Sequence, residues 1–398
     1  MRGKIAILLC IILLLCSCAA PKEEKGKYSG VASSGVWISF SEINNMLSSE
    51  KGFETELENA VENCKNLKIE NVYIHVRSYC DSLFKSDYFP LISKAENYSY
   101  DIFEKMTDSF QKEGIKVHAW INPYRVLTSS SDVEKLKKTS PAYIWLNDQD
   151  KANDLNVCFY KGIYLNPAET DVRKLVLDGV KEIIDNYNVD GIHIDDYFYP
   201  TQSEEFDKTS YEKYTAETKN PLNLGDWRRS NVNALISGIY SAVKNKNKDI
   251  VFSVSPAASV KRNYNEFYAD IEEWIENGYV DAIIPQLYFG FDYKDDDFKF
   301  ENILEEWQSL CKKNTDVALL VGLGSYKIGT RTDADGDEWI KNTDIISRQA
   351  EICHQNPAVQ GYVIFSYSSL FGEQELYTKS RNNLLQFVNK TIGAKKDG

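Results

Sequence analysis

Short apolar runs alternate with longer amphipathic segments from residue 35 onward. Eight of the short runs are rich in β-branched residues and have the length of strands. The predicted strands are 36–40, 71–77, 116–122, 189–195, 250–255, 282–288, 318–323 and 360–366. The predicted helices between and after them are 54–67, 102–113, 172–187, 228–247, 270–277, 301–313, 343–354 and 380–391. This alternation predicts a single α/β domain, a (β/α)8 TIM barrel, with a doubly wound open sheet as the alternative.

Within most of the predicted strands, apolar and polar side chains alternate. In the third strand Val117 and Ala119 lie on one face, whereas His118 and Trp120 lie on the other. Strands covered by helices present their apolar face outward, so the polar face points into the barrel, and its last members line the C-terminal mouth, where barrel enzymes have their active sites. We therefore expect six strand-end side chains to converge there: Arg77, Asn122, Asp195, Ser255, Gln286 and Tyr288.

The strongest local signal is the segment 189–200, VDGIHIDDYFYP. Two adjacent carboxylates, Asp195 and Asp196, end a buried strand and lead into an aromatic loop. Burying carboxylates is unfavourable unless they are paired, hydrogen-bonded or protonated, and two close carboxylates tend to have different pKa values. Glycoside hydrolysis uses such a pair, and aromatic rings stack on sugar faces. The structural alternative is an Asp-Asp turn that caps the following helix.

This segment resembles the hallmark of the glycosyl-hydrolase-10-like barrel family. Further similar segments follow in chain order over about residues 35–370: 35–37, 76–77 with Asp81, 88–90, 119–125, 165–167, 227–233, 254–256, 268–270 and 280–288. The resemblance implies a glycosidase-like barrel, and bacterial lipoprotein members of the family are similar to enzymes that cut peptidoglycan glycan strands lacking stem peptides. The chain departs from the family at 257–259, Ala-Ala-Ser, where phenylalanine and glycine are usual.

From these features we expect hydrolysis of an N-acetylated glycan. Asp195 is the expected nucleophile or stabiliser of an oxocarbenium-like centre, and Asp196, or else Asp81, the proton donor. Tyr197 stands at the glutamate position of a chitinase-type DxE motif, so the second carboxylate stays open. The expected substrate-binding residues are Arg77, Trp120, Asn122, Tyr124, Arg125, His193, Tyr197, Tyr199, Ser255, Gln286 and Tyr288.

Two other functions compete with this interpretation. His75, His118 and His193 share the inward face of consecutive strands, as in a metal-dependent barrel hydrolase. Each lies two residues inside its strand end, which favours a packed layer, so we expect no metal site. No G-x-G-x-x-G motif follows the first strand, and we expect no cofactor. The second alternative is a non-catalytic glycan-binding lipoprotein.

Two acidic loops follow the sixth and seventh predicted strands. The segment 333–344 partly imitates a calcium loop, but its glycine stands at the fourth rather than the sixth position, so a solvated loop is favoured. With the acidic run 292–297, it predicts an acidic mouth suited to neutral sugars.

The first 34 residues are predicted to be a targeting signal followed by a flexible tether. Arg2 and Lys4 precede the apolar run 5–15, which ends in Leu-Cys-Ser-Cys and resembles a bacterial lipobox. We expect lipidation of Cys18, with an ordinary secretory signal as the alternative. Residues 1–18 would be the signal, 19–34 a charged flexible tether and 35–398 the barrel with a C-terminal helix. The expected location is extracytoplasmic, attached to the membrane by the N-terminal lipid only.

Composition narrows the remaining possibilities. The 398 residues include 59 acidic and 46 basic side chains, for a net charge of −13, which argues against nucleic acid as a partner. The hydrophobic share of 43% and the aromatic share of 13% exclude disorder for most of the chain. Five scattered cysteines follow Cys18, an odd number without a CxxC pair, so a disulfide framework is not expected. We expect a monomer that binds a polysaccharide.

Overall fold

The computed structural model of the protein describes residues 33–396. Its eight main strands are β1 (Ser33–Ile38), β2 (Asn71–Arg77), β3 (Lys116–Ile121), β4 (Gly191–Ile194), β5 (Val251–Val254), β6 (Ala282–Ile283), β7 (Ala318–Gly324) and β8 (Gly361–Phe365). Each pairs in parallel with its neighbours in chain order, and β8 pairs with β1 to close the barrel. The predicted (β/α)8 barrel is confirmed, and the open sheet is not formed.

Helices surround this barrel. They are α1 (Phe40–Met46), α2 (Glu50–Asn66), α3 (Ile102–Lys112), α4 (Pro141–Asn147), α5 (Thr170–Asn186), α6 (Lys208–Glu217), α7 (Leu224–Lys246), α8 (Val260–Glu266), α9 (Ile271–Glu276), α10 (Phe300–Cys311), α11 (Glu338–Lys341), α12 (Ile345–Gln355), α13 (Tyr367–Phe371) and α14 (Glu375–Lys396). Local signals set their ends: the Asp101 side chain accepts from the Glu104 amide to start α3, and Gly114, at φ +76°, follows its last turn. The C-terminal helix α14 packs against α12 and α13.

The strand bounds differ from the prediction by more than two residues at two places. β1 begins at Ser33, so residues 33 and 34, expected to end the tether, pair with β8. β6 ends at Ile283 instead of continuing to Tyr288, because Pro285 has no amide hydrogen for the ladder. The signal, the lipidation site Cys18 and the rest of the tether lie outside the described residues.

A small antiparallel sheet, which we call the side sheet, lies in the connection between β3 and β4. Its strands are Arg125–Leu127, Val157–Phe159 and Ile163–Leu165, with the last in the middle. Its strands are not predicted from the sequence, because three residues are too few to show an alternating pattern.

The barrel interior is filled by aromatic and imidazole rings. Trp37 Nε1 donates to His193 Nε2 at 3.0 Å, so His193 Nδ1 donates to Ser253 Oγ at 2.8 Å. A Cβ on Gly191 would lie 2.1 Å from His118 Nδ1, so only glycine leaves room for that ring. Burial lowers the pKa of His118 to about 3 and that of His193 well below its ordinary value, so both rings are neutral. These histidines form the packed layer that their depth predicted.

The cysteines and the helices add two further facts about the described part of the chain. All five cysteines after Cys18 are buried free thiols: Cys64, Cys80, Cys158, Cys311 and Cys353. Between residues 33 and 396, no helix is both long enough and apolar enough to span a membrane.

Candidate active site

Asp195 lies directly after β4, at the centre of the barrel mouth, and is only 3% exposed. Trp120 Nε1 donates to its Oδ2 at 3.0 Å, and Asn122 Nδ2 donates to its Oδ1 at 3.0 Å. The Asn122 side chain is itself fixed, since its Oδ1 accepts from the Arg125 amide at 3.1 Å. The polar ends of β3 and β4 therefore converge as the alternation predicted, and they hold the Asp195 carboxylate in one orientation.

The two adjacent carboxylates both hold their protons more tightly than exposed aspartates. Burial, and next the charge of Asp196, raise the pKa of Asp195 to about 7, although Arg125 and the Trp120 hydrogen bond oppose the shift. Burial also raises the pKa of Asp196, against a hydrogen bond from the Gln286 side chain. Asp195 therefore exchanges its proton close to neutral pH, the range in which acid/base chemistry operates.

Each aspartate faces its own cavity. Asp195 lines a cavity of about 350 Å³, which we call the Asp195 cavity. Asp196 lines a more open cleft of about 1230 Å³, the Asp196 cleft. The two spaces share three lining residues, Gln286, Tyr288 and Tyr326, so they meet beside the carboxylate pair. The remaining residues of the Asp195 cavity are Trp37, Ser39, Phe40, Ser41, His75, Trp120, Arg125, Tyr197, Ser255 and Phe365.

Two partly exposed tyrosines belong to the Asp195 cavity. Tyr197 is 45% exposed, and the Arg125 guanidinium carbon lies 3.5 Å from its ring centroid. Tyr326 is 42% exposed and stands edge-on to Tyr288 and Phe365, with centroid distances of 5.7 and 5.9 Å. Rings supported from behind and exposed in front provide apolar surfaces for the faces of sugar rings.

A wall of aromatic rings bounds the Asp195 cavity on the side of β1 and β2. The Phe40 ring packs edge-to-face on Tyr79, at 5.5 Å between centroids. Behind this wall lies a third cavity of about 390 Å³, lined by Tyr79 and Asp81 among others. Burial raises the pKa of Asp81 to about 6. The third cavity shares no lining residue with the Asp195 cavity, so the structure does not bring Asp81 to the carboxylate pair.

The predicted position of Arg77 at the mouth is wrong. The register between β2 and β3 shifts between His75 and Arg77, so that Arg77 pairs with Ile121, which lies on the outward, apolar face of β3. Its guanidinium is buried outside the barrel, 4.4 Å from the Phe89 ring and against Gly179 of α5. This β-bulge reverses the alternation at the last residue of the strand.

Three other expected substrate contacts are also wrong, because the side chains are enclosed. Tyr124 and Tyr199 are each 1% exposed, and His193 is fully buried in the barrel layer. Tyr199 packs edge-on against Tyr268, with centroids 5.2 Å apart. Asn122, 1% exposed, acts on Asp195 rather than on a ligand. The other expected residues, Trp120, Arg125, Tyr197, Ser255, Gln286 and Tyr288, line the Asp195 cavity.

Several residues of this site were not predicted from the sequence. Trp37 had the inward position on β1, which was an available signal. Phe365 ends β8, where both faces are apolar and the alternation carries no contrast. Phe40 was assigned to the outward face of the predicted strand 36–40, but the strand ends at Ile38 and Phe40 begins α1. Tyr326 lies just after β7, in a segment without a pattern.

The expected acidic mouth is wrong for the Asp196 cleft. Four basic residues line it beside four acidic ones: Lys261, Arg262, Lys294 and Lys327 with Asp196, Glu266, Asp295 and Asp296.

The calcium-like loop 333–344 is not solvated at Asp335, which is buried and accepts a hydrogen bond from Lys327 Nζ at 2.6 Å. In the part of the chain that the structure describes, no group of three or more His, Cys, Asp or Glu is placed to hold a metal ion.

A buried ion pair anchors the loop that follows the carboxylate pair. Arg228 of α7 is fully buried, and its Nε donates to both oxygens of Asp207, at 3.2 and 3.0 Å. The same guanidinium donates to the Ser203 carbonyl at 2.7 Å and to the Tyr268 hydroxyl at 3.0 Å. The loop carrying Tyr197 therefore leads into a fixed segment.

A closed parallel barrel with two adjacent aspartates of raised pKa and exposed aromatic rings at its mouth is typical of the glycoside hydrolase class. The glycosyl hydrolase-like 10 family model matches residues 33–341, and the chain belongs to this family. Family membership indicates the coarse activity, hydrolysis of glycosidic bonds.

Relatives of similar sequence are also named glycosyl hydrolases. Glycosyl hydrolase DigH from Escherichia coli (strain K12) is 28% identical, over 90% of this chain and 91% of its own. Glycosyl hydrolase YngK from Bacillus subtilis (strain 168) is 28% identical, over 84% of this chain and 68% of its own. The solved glycoside hydrolase domain of PgaB (BpsB) from Bordetella bronchiseptica superposes with a TM-score of 0.58 at 12% identity, covering 89% of this chain and 99% of that one. This last likeness concerns the fold alone.

Proposed function

We propose that the protein hydrolyses glycosidic bonds in peptidoglycan glycan strands by acid/base chemistry on Asp195 and Asp196. The observation that carries the proposal is the pair itself: two adjacent carboxylates with raised pKa values, Asp195 buried and Asp196 partly exposed, each facing a different one of two joined cavities. Glycoside hydrolysis needs one carboxyl group to protonate the leaving oxygen and another to attack, activate water or stabilise the developing positive charge.

The environments of the two aspartates suit different roles. Both Asp195 oxygens accept N–H donors, which favours an oriented carboxylate, so Asp195 is assigned as nucleophile or charge stabiliser. Asp196 has fewer hydrogen-bond donors and faces the more open cleft, where a leaving group can depart, so it is assigned as proton donor. A raised pKa is common to both groups and does not distinguish their roles. Asp81 takes no part in this scheme, since it lies behind the Phe40–Tyr79 wall.

The charges that line the Asp196 cleft support a peptidoglycan substrate. Relatives named as glycosyl hydrolases span most of the chain. The Asp196 cleft combines aromatic rings with cations, and Lys261 and Lys294 on its border form no ion pair within the described residues. Exposed ammonium groups of this kind suit a glycan that carries carboxylates, as the lactyl groups of muramic acid do.

The test is incubation of the full chain with intact peptidoglycan and with peptidoglycan stripped of its peptides, followed by mass spectrometry of soluble products. We expect saccharides from the stripped glycan, and their loss in Asp195→Asn and Asp196→Asn. Asp108→Asn, an exposed change on α3, is the matched control and should retain activity. Unchanged cleavage by both site variants would refute the assignment, and binding without any release would favour a glycan-binding protein.

We also propose an extracytoplasmic location with a lipid on Cys18. The support is the N-terminal sequence alone: two positive residues, an apolar run of signal length and the lipobox-like Leu-Cys-Ser-Cys. Metabolic labelling with a radioactive fatty acid should mark the wild type, and Cys18→Ala should abolish the label. Equal labelling of both proteins would contradict the proposed anchor.

A further inference from the structure

The two joined cavities differ in size in a way that bears on how a glycan strand lies across the mouth. Typical sites for small ligands enclose about 300–1,000 Å³. The Asp195 cavity, at about 350 Å³, is near the lower limit and fits one sugar residue. The Asp196 cleft, at about 1230 Å³, is more than three times as large and fits several. A strand across both therefore has one residue on one side of the carboxylates and more on the other.

A wall of rings also bounds the small side towards β1 and β2, in the path of a longer strand. The Phe40 ring contacts Tyr79 edge-to-face, and it also meets His75 at 5.8 Å between centroids. The short strand Arg125–Leu127 continues the wall, because Arg125 lines the Asp195 cavity whereas Leu127 lines the third cavity behind it. A second sugar on this side would have to displace these rings.

The roles of the two aspartates determine which end of the glycan strand lies in each cavity. The carboxylate that attacks or stabilises the anomeric carbon sits with the sugar that keeps this carbon, and the acid sits beside the oxygen that leaves. Asp195 faces the small cavity and Asp196 faces the open cleft. The sugar on the non-reducing side therefore lies in the Asp195 cavity, and the rest of the strand leaves along the cleft.

We propose that the protein removes single sugar residues from the non-reducing end of its glycan. This inference rests on the proposed function and adds its direction and product length. The bond between the anomeric carbon and the bridging oxygen breaks, and the Asp196 proton passes to that oxygen. Water supplies a hydroxyl group to the anomeric carbon, and its remaining proton restores the acid.

The test uses peptide-free peptidoglycan oligosaccharides of defined length, marked at the reducing end by borodeuteride reduction. Early products of the full chain are identified by mass spectrometry. We expect an unlabelled monosaccharide and a labelled product one residue shorter. A labelled monosaccharide would overturn the direction, and internal cleavage would overturn the product length, while both leave the proposed hydrolysis standing. Absence of cleavage would overturn the proposed function and this inference together.

The wall provides a second test. Phe40→Ala should join the Asp195 cavity to the third cavity, and we expect the ratio of disaccharide to monosaccharide to rise about tenfold or more, as for other steric pockets. Phe159→Ala, on the side sheet and lining none of the three cavities, is the matched control and should leave the ratio unchanged. Thermal unfolding checks that both variants fold, with Phe40→Leu replacing an unfolded Phe40→Ala. A folded wall variant with an unchanged ratio would overturn the inference.

Discussion

Replacing Asp195 by asparagine should abolish hydrolysis and stabilise the fold increasingly as the pH rises. The raised pKa means that ionised Asp195 opposes folding: this cost is absent below the ordinary pKa of 3.8, grows as the pH rises through about 7, and is constant above. The interval between the two pKa values corresponds to about 4 kcal/mol, of which about 2–3 kcal/mol develops between about pH 5 and about pH 8.

Asparagine also loses one hydrogen bond, because both Asp195 oxygens accept N–H donors and an amide has only one oxygen. Asn122 cannot turn over to compensate, since its own oxygen holds the Arg125 amide. We expect a cost of about 1–3 kcal/mol that does not depend on pH. The informative quantity is therefore the change with pH in the stability difference between variant and wild type.

Urea denaturation of both proteins at the two pH values measures this quantity. The stability difference should move in favour of Asp195→Asn by about 2–3 kcal/mol at the higher pH. Asp108→Asn, exposed on α3, should give the same difference at both pH values within about 0.5 kcal/mol. A flat difference for Asp195→Asn, or one that moves the other way, would refute the argument that burial raises this pKa.

Three further predictions concern the supports of the site. Arg228→Ala should lower the unfolding free energy by about 3–5 kcal/mol in urea denaturation, because Asp207 is left buried and unpaired, and removing both side chains should recover part of the loss. Gly191→Ala should cost about 1–3 kcal/mol, seen as a lower Tm, because the new methyl group would overlap an imidazole in the barrel; an unchanged Tm would contradict the close packing. Trp120→Phe removes a donor that stabilises the Asp195 carboxylate, so its pKa should rise and the ascending limb of the kcat/KM profile should move to higher pH; an unmoved limb would show that the bond does not tune this group.

Much of the barrel could be predicted because strand alternation and helical periodicity are local properties. The same reasoning located Asp195 beside Trp120 and Asn122, since inward positions at neighbouring strand ends must meet. It failed at Arg77 because a β-bulge depends on the pairing of two strands and leaves no mark in the sequence of one.

The second error concerned which tyrosines are exposed at the site. Its ring packs in a core and its hydroxyl tolerates water, so the residue type does not distinguish enclosed from exposed positions. Tyr199 is enclosed and Tyr197, two residues earlier, is 45% exposed. The side sheet decides part of this difference by placing Arg125 against Tyr197, and its three-residue strands are invisible to periodicity.

Asn122 joins two parts of the site through one amide group. Its nitrogen holds Asp195, while its oxygen holds the backbone at Tyr124 and Arg125, where the side sheet begins. Any substitution there would disturb the reacting carboxylate and the neighbouring wall together. Divergence towards new glycans in this scaffold should therefore spare Asn122 and accumulate at positions that line the two joined cavities without holding Asp195, such as Tyr326.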